Sequence, residues 1–328
     1  MHWGIRAGLV ILATAVLGGC QSPLGSSGTL GKPFVTVWRV TKNSPTVTLS
    51  ADPDYTYHYT VEWGDGGHDR DVNGSITHTY GYAGDYTIRI SGTFPHLNTI
   101  SGDRLLAMNR LEGKNAAKLI QVVSWGDIAW KSMRNMFAYC TDVELDTSTR
   151  PNLAGVHSMR NMFYGTSRFN SDISDWNVSS VTDMTGMFYE ASLFDQPLDR
   201  WDVSHVATMS RMFAFATRFN HPIGDWNVSA VRSMASMFKG AAVFDQPIGR
   251  WDVSHVTDMA WMFAYAKKFN QPLGDWDVSQ VTRIYGMFRF AKSFHGQDLS
   301  RWDLSRVTKR KDFMNGAGAG NVLPTNWP

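Results

Sequence analysis

Cysteine is scarce in this sequence, and neither sign of charge predominates. Two cysteines among 328 residues cannot form the network of disulfides that holds small secreted scaffolds together, so a disulfide-based fold is excluded. The 31 lysines and arginines face 29 aspartates and glutamates, which leaves a formal net charge of +2. A chain this close to neutrality lacks the broad positive surface of nucleic-acid-binding proteins, so we expect no nucleic-acid partner.

Near the N-terminus there is no hydrophobic run long enough to stay in a membrane as a helix. The apolar stretch at residues 7–16 is about half of the roughly 20 residues that a spanning helix needs. It follows Arg6 and ends in Leu17-Gly18-Gly19-Cys20, which resembles the lipobox of bacterial lipoproteins. The resemblance implies cleavage before Cys20 and acyl chains, such as palmitate, on the cysteine, so that lipid anchors the chain to a membrane. A secretory signal peptide with an incidental cysteine is the alternative.

The residues after Cys20 indicate where the anchored protein would reside. In a Gram-negative cell a residue other than Asp after the lipidated cysteine implies export to the outer membrane, and Gln21 stands there. The next residues are rich in Gly, Ser and Pro, which predicts a flexible tether over residues 20–33. We therefore expect a lipid-anchored protein of the bacterial cell envelope, at the outer membrane or cell surface if the cell is Gram-negative.

Short alternating segments separated by turn residues fill residues 34–94. β-branched and aromatic residues recur at every second position, which is typical of half-buried strands in an antiparallel sandwich. Three motifs follow in order, and this order resembles the polycystic kidney disease (PKD) domain, an Ig-like spacer or binding module of extracellular proteins. The resemblance implies a small Ig-like (PKD-like) β-sandwich. The motifs are Trp63-Gly64-Asp65-Gly66, His78-Thr79-Tyr80 and Gly84-Asp85-Tyr86-Thr87-Ile88.

One polar segment of this region has part of a metal-binding pattern. Asp69, Asp71 and Asn73 match the first half of a calcium loop, in which carboxylate and amide oxygens supply the ligands. Such a loop needs a bidentate Glu at its twelfth position, where this chain has Tyr80. A polar hairpin turn explains the same residues. The three residues are a candidate calcium site, and we otherwise expect no metal and no cofactor.

The C-terminal part of the chain repeats every 25 residues, from a tryptophan to the next one. In the unit that begins at Trp201, Val203 lies two residues on, which predicts that both side chains point to the same side of a strand. Ser204 is the predicted N-cap of a following helix. The buried face of that helix has apolar residues at helical spacing, namely Val206, Met209, Met212 and Phe213. One unit cannot bury these side chains alone, so stacked units are expected to form a solenoid.

The unit WDVSHVTDMAWMFAYAKKFNQPLGD, residues 251–275, resembles the repeat of the BspA-like bacterial surface proteins. That resemblance implies a surface lipoprotein associated with adhesion, and it implies no defined ligand. The fold class predicted for the whole chain is α/β, a leucine-rich-repeat-like solenoid of 25-residue strand–helix units preceded by the β-sandwich. The predicted divisions are a lipoprotein signal peptide (1–19), a tether (20–33), a PKD-like sandwich (34–95), a connector and N-terminal cap (96–124), a repeat solenoid (125–308) and a C-terminal cap (309–328).

The repeats indicate binding rather than catalysis. Catalysis requires one asymmetric constellation of groups, whereas the acids, serines and histidines here recur at fixed repeat positions, so we expect no enzyme. Two binding hypotheses remain, beside a third in which the protein is a structural coat protein without a specific ligand. In the first, the solenoid mediates protein–protein interaction or adhesion, while in the second the PKD-like domain binds carbohydrate or cell wall. The first hypothesis gives five candidate contact residues, at one variable position of the repeat: Ser180, His205, Ala230, His255 and Gln280.

Overall fold

Eight short strands and one helical turn make up the regular secondary structure of the computed structural model, which describes residues 31–100 and 113–325. The strands are rich in Val, Thr, Ile and aromatic residues, which fit a half-buried pleated surface. Their bounds are β1 (Phe34–Val40), β2 (Thr46–Leu49), β3 (His58–Glu62), β4 (His68–Val72), β5 (Ile76–Thr79), β6 (Gly84–Thr93), β7 (Leu119–Ser124) and β8 (Glu144–Leu145), and helix α1 covers Gly113–Ala116.

Two sheets form the N-terminal part. The larger has the strand order β4-β3-β6-β1-β7-β8, and β2 pairs with β5 in the smaller. All pairs are antiparallel except β7 with β8, which are parallel. Strand β7 is therefore the place where antiparallel pairing gives way to the parallel stacking of the repeats, and the N-terminal strands share their larger sheet with the start of the repeat region.

From residue 125 onward the repeat units stack on one another as a column of 25-residue coils, which we call the repeat column. One residue of each coil forms a parallel bridge to the equivalent residue of the next. Backbone N–H groups add further bonds between coils, such as Phe213 N–H to Met237 O at 2.9 Å and Phe215 N–H to Lys239 O at 2.7 Å. The bridged residues are Ser158, Asp183, Thr208, Ser233, Asp258, Arg283 and Lys309.

The predicted fold class, an α/β solenoid of strand–helix units, is wrong. No coil of the described repeat region contains a helix, and the segment from Met209 to Ala216 consists of two successive four-residue turns. The third residues of these turns, Arg211 and Phe215, have φ of 61° and 60°, which an α-helix excludes and a type II turn requires. Ser204 is also no N-cap, because its N–H donates to the Asp202 carboxylate at 3.0 Å in a local turn.

The turns explain why the sequence looked helical. In each turn the first and fourth residues point inward, so two successive turns bury positions 1, 4, 5 and 8, the spacing of a helix face. The predicted inward positions are confirmed, although the backbone that produces them is different. In the coil from 201 to 225 the inward residues are all at most 3% exposed: Trp201, Val203, Val206, Met209, Met212, Phe213 and Ala216.

The interior of the column is a continuous apolar core that extends into the N-terminal sheets. Phenyl rings of successive coils stack, for example Phe213 on Phe238 with centroids 5.7 Å apart. Five inward indoles also donate to a backbone carbonyl 28 or 29 residues earlier in the chain, as Trp226 Nε1–H does to Leu198 O at 2.9 Å. Buried rings and satisfied carbonyls together fix the register of one coil on the next.

Candidate binding face of the repeat column

A row of aromatic side chains follows the outer surface of the two successive turns in each coil. We call this surface the turn face. Seven of its rings are half-buried, and Tyr265 is 39% exposed, unlike the fully buried rings of the core. Its aromatic residues are Tyr139, Tyr164, Tyr189, Phe215, Trp261, Tyr265, Tyr285 and Phe290.

At the N-terminal end of the turn face the rings contact one another directly. Tyr139 and Tyr164 have centroids 5.3 Å apart, Tyr164 stacks on Tyr189 at 4.4 Å, and Tyr189 meets the edge of Phe215 at 5.6 Å. The rings therefore form one surface that crosses four coils. Aromatic pairs in these geometries hold each other in place, so this surface is preorganised.

Further along the turn face, cations alternate with the rings. The Lys239 ammonium lies 5.8 Å from the centroid of Phe215 and 5.0 Å from that of Trp261. The Arg289 guanidinium is 5.5 Å from the Trp261 centroid and 5.1 Å from the Phe290 centroid. All these distances fall within the range of cation–π attraction, so the series Phe215, Lys239, Trp261, Arg289, Phe290 is a ladder of alternating rings and cations.

Two rings of this ladder stand at left-handed backbone positions and pack beside glycines of the next coil. Phe215 and Trp261 each occupy the third position of a turn, with φ near 60°, and the next coil has a glycine close to each ring. A Cβ on Gly240 would lie 2.5 Å from Phe215 Cδ1, and a Cβ on Gly286 would lie 2.6 Å from Trp261 Cε3. The Phe215 and Trp261 rings therefore occupy space that a side chain at Gly240 or Gly286 would fill.

Positive charge at the centre of the ladder is only partly balanced. The pKa of Lys239 lies below its usual value, mainly because of burial and further because of the like charges of Arg211 and Arg289. Arg289 has an acidic partner, with Nη1 3.3 Å from Asp312 Oδ2. Within the described residues Lys239 has no carboxylate within 4.0 Å.

A polar cavity of about 520 Å³ borders the N-terminal end of the turn face. It lies between the connection from β2 to β3 and the first coils. Across this cavity Arg160 Nη1 lies 4.0 Å from Asp183 Oδ2, and Arg211 and Tyr164 belong both to the cavity wall and to the turn face. The remaining charged and aromatic lining residues are Asp52, Asp54, Tyr55 and Arg134.

The five contact residues predicted from the sequence lie elsewhere on the column. Ser180 is half-buried, and its hydroxyl oxygen is 2.9 Å from both Leu153 O and Val156 O. Gln280 accepts a hydrogen bond from Arg306, and Ala230 is half-buried. His205 and His255 are exposed. Three of the five positions therefore pack within the column, and the two histidines are exposed, with His205 Nδ1 3.3 Å from Ser204 Oγ.

The candidate calcium residues do not converge. Asp69 accepts a hydrogen bond from Trp63 Nε1–H at 2.7 Å, whereas Asp71 and Asn73 face His58, at 3.6 Å and 3.2 Å. Asp69 and Asp71 lie on strand β4 rather than in a loop. Among residues 31–100 and 113–325, no group of three or more His, Cys, Asp and Glu side chains is arranged to hold a metal ion.

Cys20, the predicted lipidation site, lies outside the described residues. Cys140 is fully buried, and burial raises the pKa of its thiol far above the usual value. No helix within the described residues has the length and apolar character needed to cross a membrane.

Sequence reasoning missed the turn face because it treated the outward positions of the repeat as unstructured variation. A signal was present. In six coils one of the two residues after the Met-Phe pair is aromatic: Tyr139, Tyr164, Tyr189, Phe215, Tyr265 and Phe290. On a helix these positions would be scattered around the solvent side, but in successive turns they align.

The comparisons with known proteins agree with the repeat structure. One family model, described as "Mycoplasma protein of unknown function, DUF285", matches residues 131–242 and again residues 221–327. The two matches together span most of the repeat column. No curated protein and no solved structure matches the chain.

Proposed function

We propose that this chain, which belongs to the DUF285 family, is a lipid-anchored protein of the bacterial cell envelope. Its repeat column binds a partner protein through the turn face. The observation that carries this proposal is the ladder of alternating rings and cations from Phe215 to Phe290. Trp, Tyr and Arg dominate the energetics of protein interfaces, and the turn face concentrates all three outside the core.

The dimensions of the turn face suit such a role. From the coil of Tyr139 to the coil of Phe290 there are six steps of about 4.8 Å, so the face is about 30 Å long. A standard interface buries about 800 Å² on each partner, which a face of this length can supply. Binding also fits the use of polar groups in the repeats, since Asp202, Asp252 and their counterparts are engaged with backbone N–H groups rather than gathered at one reactive centre.

Sequence features support the location. The lipobox resemblance at Cys20, the predicted tether, and the resemblances to BspA-like proteins and PKD domains all favour a protein anchored by lipid and displayed at the cell envelope. In labelled cells we expect palmitate on the wild type and none on Cys20→Ser. Protease treatment of intact cells should remove the repeat column if it faces outward, and its survival while other surface proteins are cut would argue against adhesion.

Protein and glycan arrays test the binding role and separate the two candidate faces. The first variant, Arg211→Asn with Tyr265→Asn, changes the turn face, and asparagine tolerates the positive φ at both positions. The matched control, His205→Asn with His255→Asn, changes the face predicted from sequence. We expect wild-type signals on the protein array that the first variant loses and the control keeps.

The opposite pattern, with loss only in the histidine variant, would contradict the assignment of the turn face. A glycan signal that survives both pairs of substitutions would instead favour carbohydrate or cell-wall binding through the PKD-like region. If no protein-array signal of the wild type is lost in the Arg211→Asn, Tyr265→Asn variant, the proposed binding role of the turn face is wrong.

A further inference from the structure

We propose that the turn face recognises an acidic, extended segment of its partner, with carboxylates of that segment bound between Arg211, Lys239 and Arg289. This proposal rests on the proposed function, because it names the chemistry of the partner that the turn face would bind. The binding element, here called the Lys239 cluster, consists of these three cations and the rings of Phe215, Trp261 and Phe290.

Charge complementarity is the first argument. The three cations come from three of four successive coils, and within the described residues only Arg289 has a carboxylate in contact, that of Asp312. Like charges around Lys239 disfavour its charged form, so the pKa of that amine is lowered by Arg211 and Arg289 in addition to burial. An incoming carboxylate would relieve this repulsion and would bind where water is already partly excluded.

The arrangement of the rings favours a polypeptide partner over a sugar. A sugar ring binds an aromatic side chain by stacking on its face, but the faces in the Lys239 cluster already have cations over them. Lys239 comes from the coil before Trp261 and Arg289 from the coil after it, so this indole has a cation on each side. What remains for a partner is the cations and the outer parts of the rings, which favours carboxylates and apolar side chains over a pyranose.

Spacing supports an extended polypeptide. Lys239 and Arg289 occupy the same position of the repeat two coils apart, which corresponds to about 10 Å along the column. Three residues of an extended or polyproline-type chain cover about 9–10 Å, and in the polyproline II conformation every third side chain points in the same direction. An acidic residue at every third position would therefore place one carboxylate at each of the two cations.

The test uses the mature full chain and a fluorescein-labelled synthetic peptide made of four Glu-Gly-Tyr units, with a Gln-Gly-Tyr peptide as the neutral control. Fluorescence anisotropy should show binding of the Glu peptide that weakens as salt is added, and little binding of the Gln peptide. Lys239→Glu should weaken binding of the Glu peptide by at least about tenfold. The matched control is Lys268→Glu, which makes the same change of charge at an exposed lysine outside the Lys239 cluster.

Lys239→Met, which keeps an unbranched apolar side chain over the rings, should also weaken binding, and thermal melts of all variants establish that they are folded. Equal losses for Lys239→Glu and Lys268→Glu would reduce the effect to overall charge and overturn the proposal. The proposal is also overturned if the wild type does not bind the Glu peptide, or if it binds a heparin fragment instead of the peptide. If the wild type does not bind the Glu peptide but the Arg211 and Tyr265 substitutions still abolish the protein-array signals, the acidic-segment proposal is wrong and the proposed function stands.

Discussion

Individual residues of the repeat column are selected by backbone geometry as much as by burial. Two residues of every coil need a left-handed conformation, which costs about 1–2 kcal/mol for most side chains and much less for glycine. Some coils have a glycine at such a position, for example Gly240 and Gly286. At the same positions of the preceding coils stand Phe215 and Trp261, respectively. Phe215 is thus followed by Gly240 and Trp261 by Gly286 at the same position of the next coil, whereas Tyr265 is followed by Phe290.

Gly240→Ala is expected to destabilise the protein by about 1–3 kcal/mol. Alanine is strained at φ of 69°, and its Cβ would meet the Phe215 ring at 2.5 Å. Urea denaturation gives the free energy of unfolding. Gly74→Ala is the matched control, because no atom lies within 4 Å of its would-be Cβ, and it should change stability little. Equal stability of the two variants would contradict the packing of ring on glycine.

At the scale of the element, short polar motifs close the local turns of each coil. The residue after each inward Trp, Asp or Asn, accepts the N–H of the serine two positions on, as Asp252 Oδ1 does from Ser254 at 3.1 Å and Asn227 Oδ1 from Ser229 at 3.2 Å. A second set links coils, since Asn220 Oδ1 accepts the N–H of Asp245 at 2.9 Å. The recurring W-[DN]-V-S and F-[ND] segments of the repeat therefore supply side-chain acceptors for backbone N–H groups.

The exchange of Asp and Asn at this position predicts a pH effect. Hydrogen bonds from Ser254 hold the pKa of Asp252 below its usual value, so its carboxylate stabilises the fold at neutral pH and this contribution is lost as pH falls through the folded-state pKa. Asp252→Asn should keep the turn and remove this acid sensitivity, whereas Asp252→Ala should lose about 0.5–1 kcal/mol at pH 7. Urea unfolding at neutral and acidic pH measures both, and the converse variant, Asn227→Asp, should gain acid sensitivity.

The molecule as a whole is held together by contacts between neighbouring coils. Parallel bridges link successive coils, phenyl stacks and indole-to-carbonyl hydrogen bonds add to them at most steps, and the apolar core is continuous from the N-terminal sheets to Phe313. Strand β7 joins the two parts, because it pairs with β1 on one side and with β8 on the other. Stability in such an array is approximately a sum over coils and their interfaces.

Deletion of one complete coil, residues 226–250, is therefore expected to leave a folded protein. It joins Asp225 to Trp251 and restores the same repeat position at the joint, so each remaining coil keeps an equivalent neighbour. Deletion of residues 226–238 removes about half a coil and should prevent folding, because inward and outward positions no longer align. Tryptophan fluorescence and circular dichroism distinguish the outcomes. A folded half-coil deletion would contradict stacking in register.

The sequence by itself determined the repeat period, the inward side chains and the alternating strands near the N-terminus, because burial of Trp, Met and Phe leaves a periodic trace in one chain. It did not determine the backbone of the repeat, because two tight turns and a helix bury residues at the same spacing. Only the hydrogen bonds to the next coil distinguish the two backbones. The tertiary structure alone decided the turn face. Lys239, Trp261 and Arg289 come from three coils, and stacking brings them together as one charged aromatic surface.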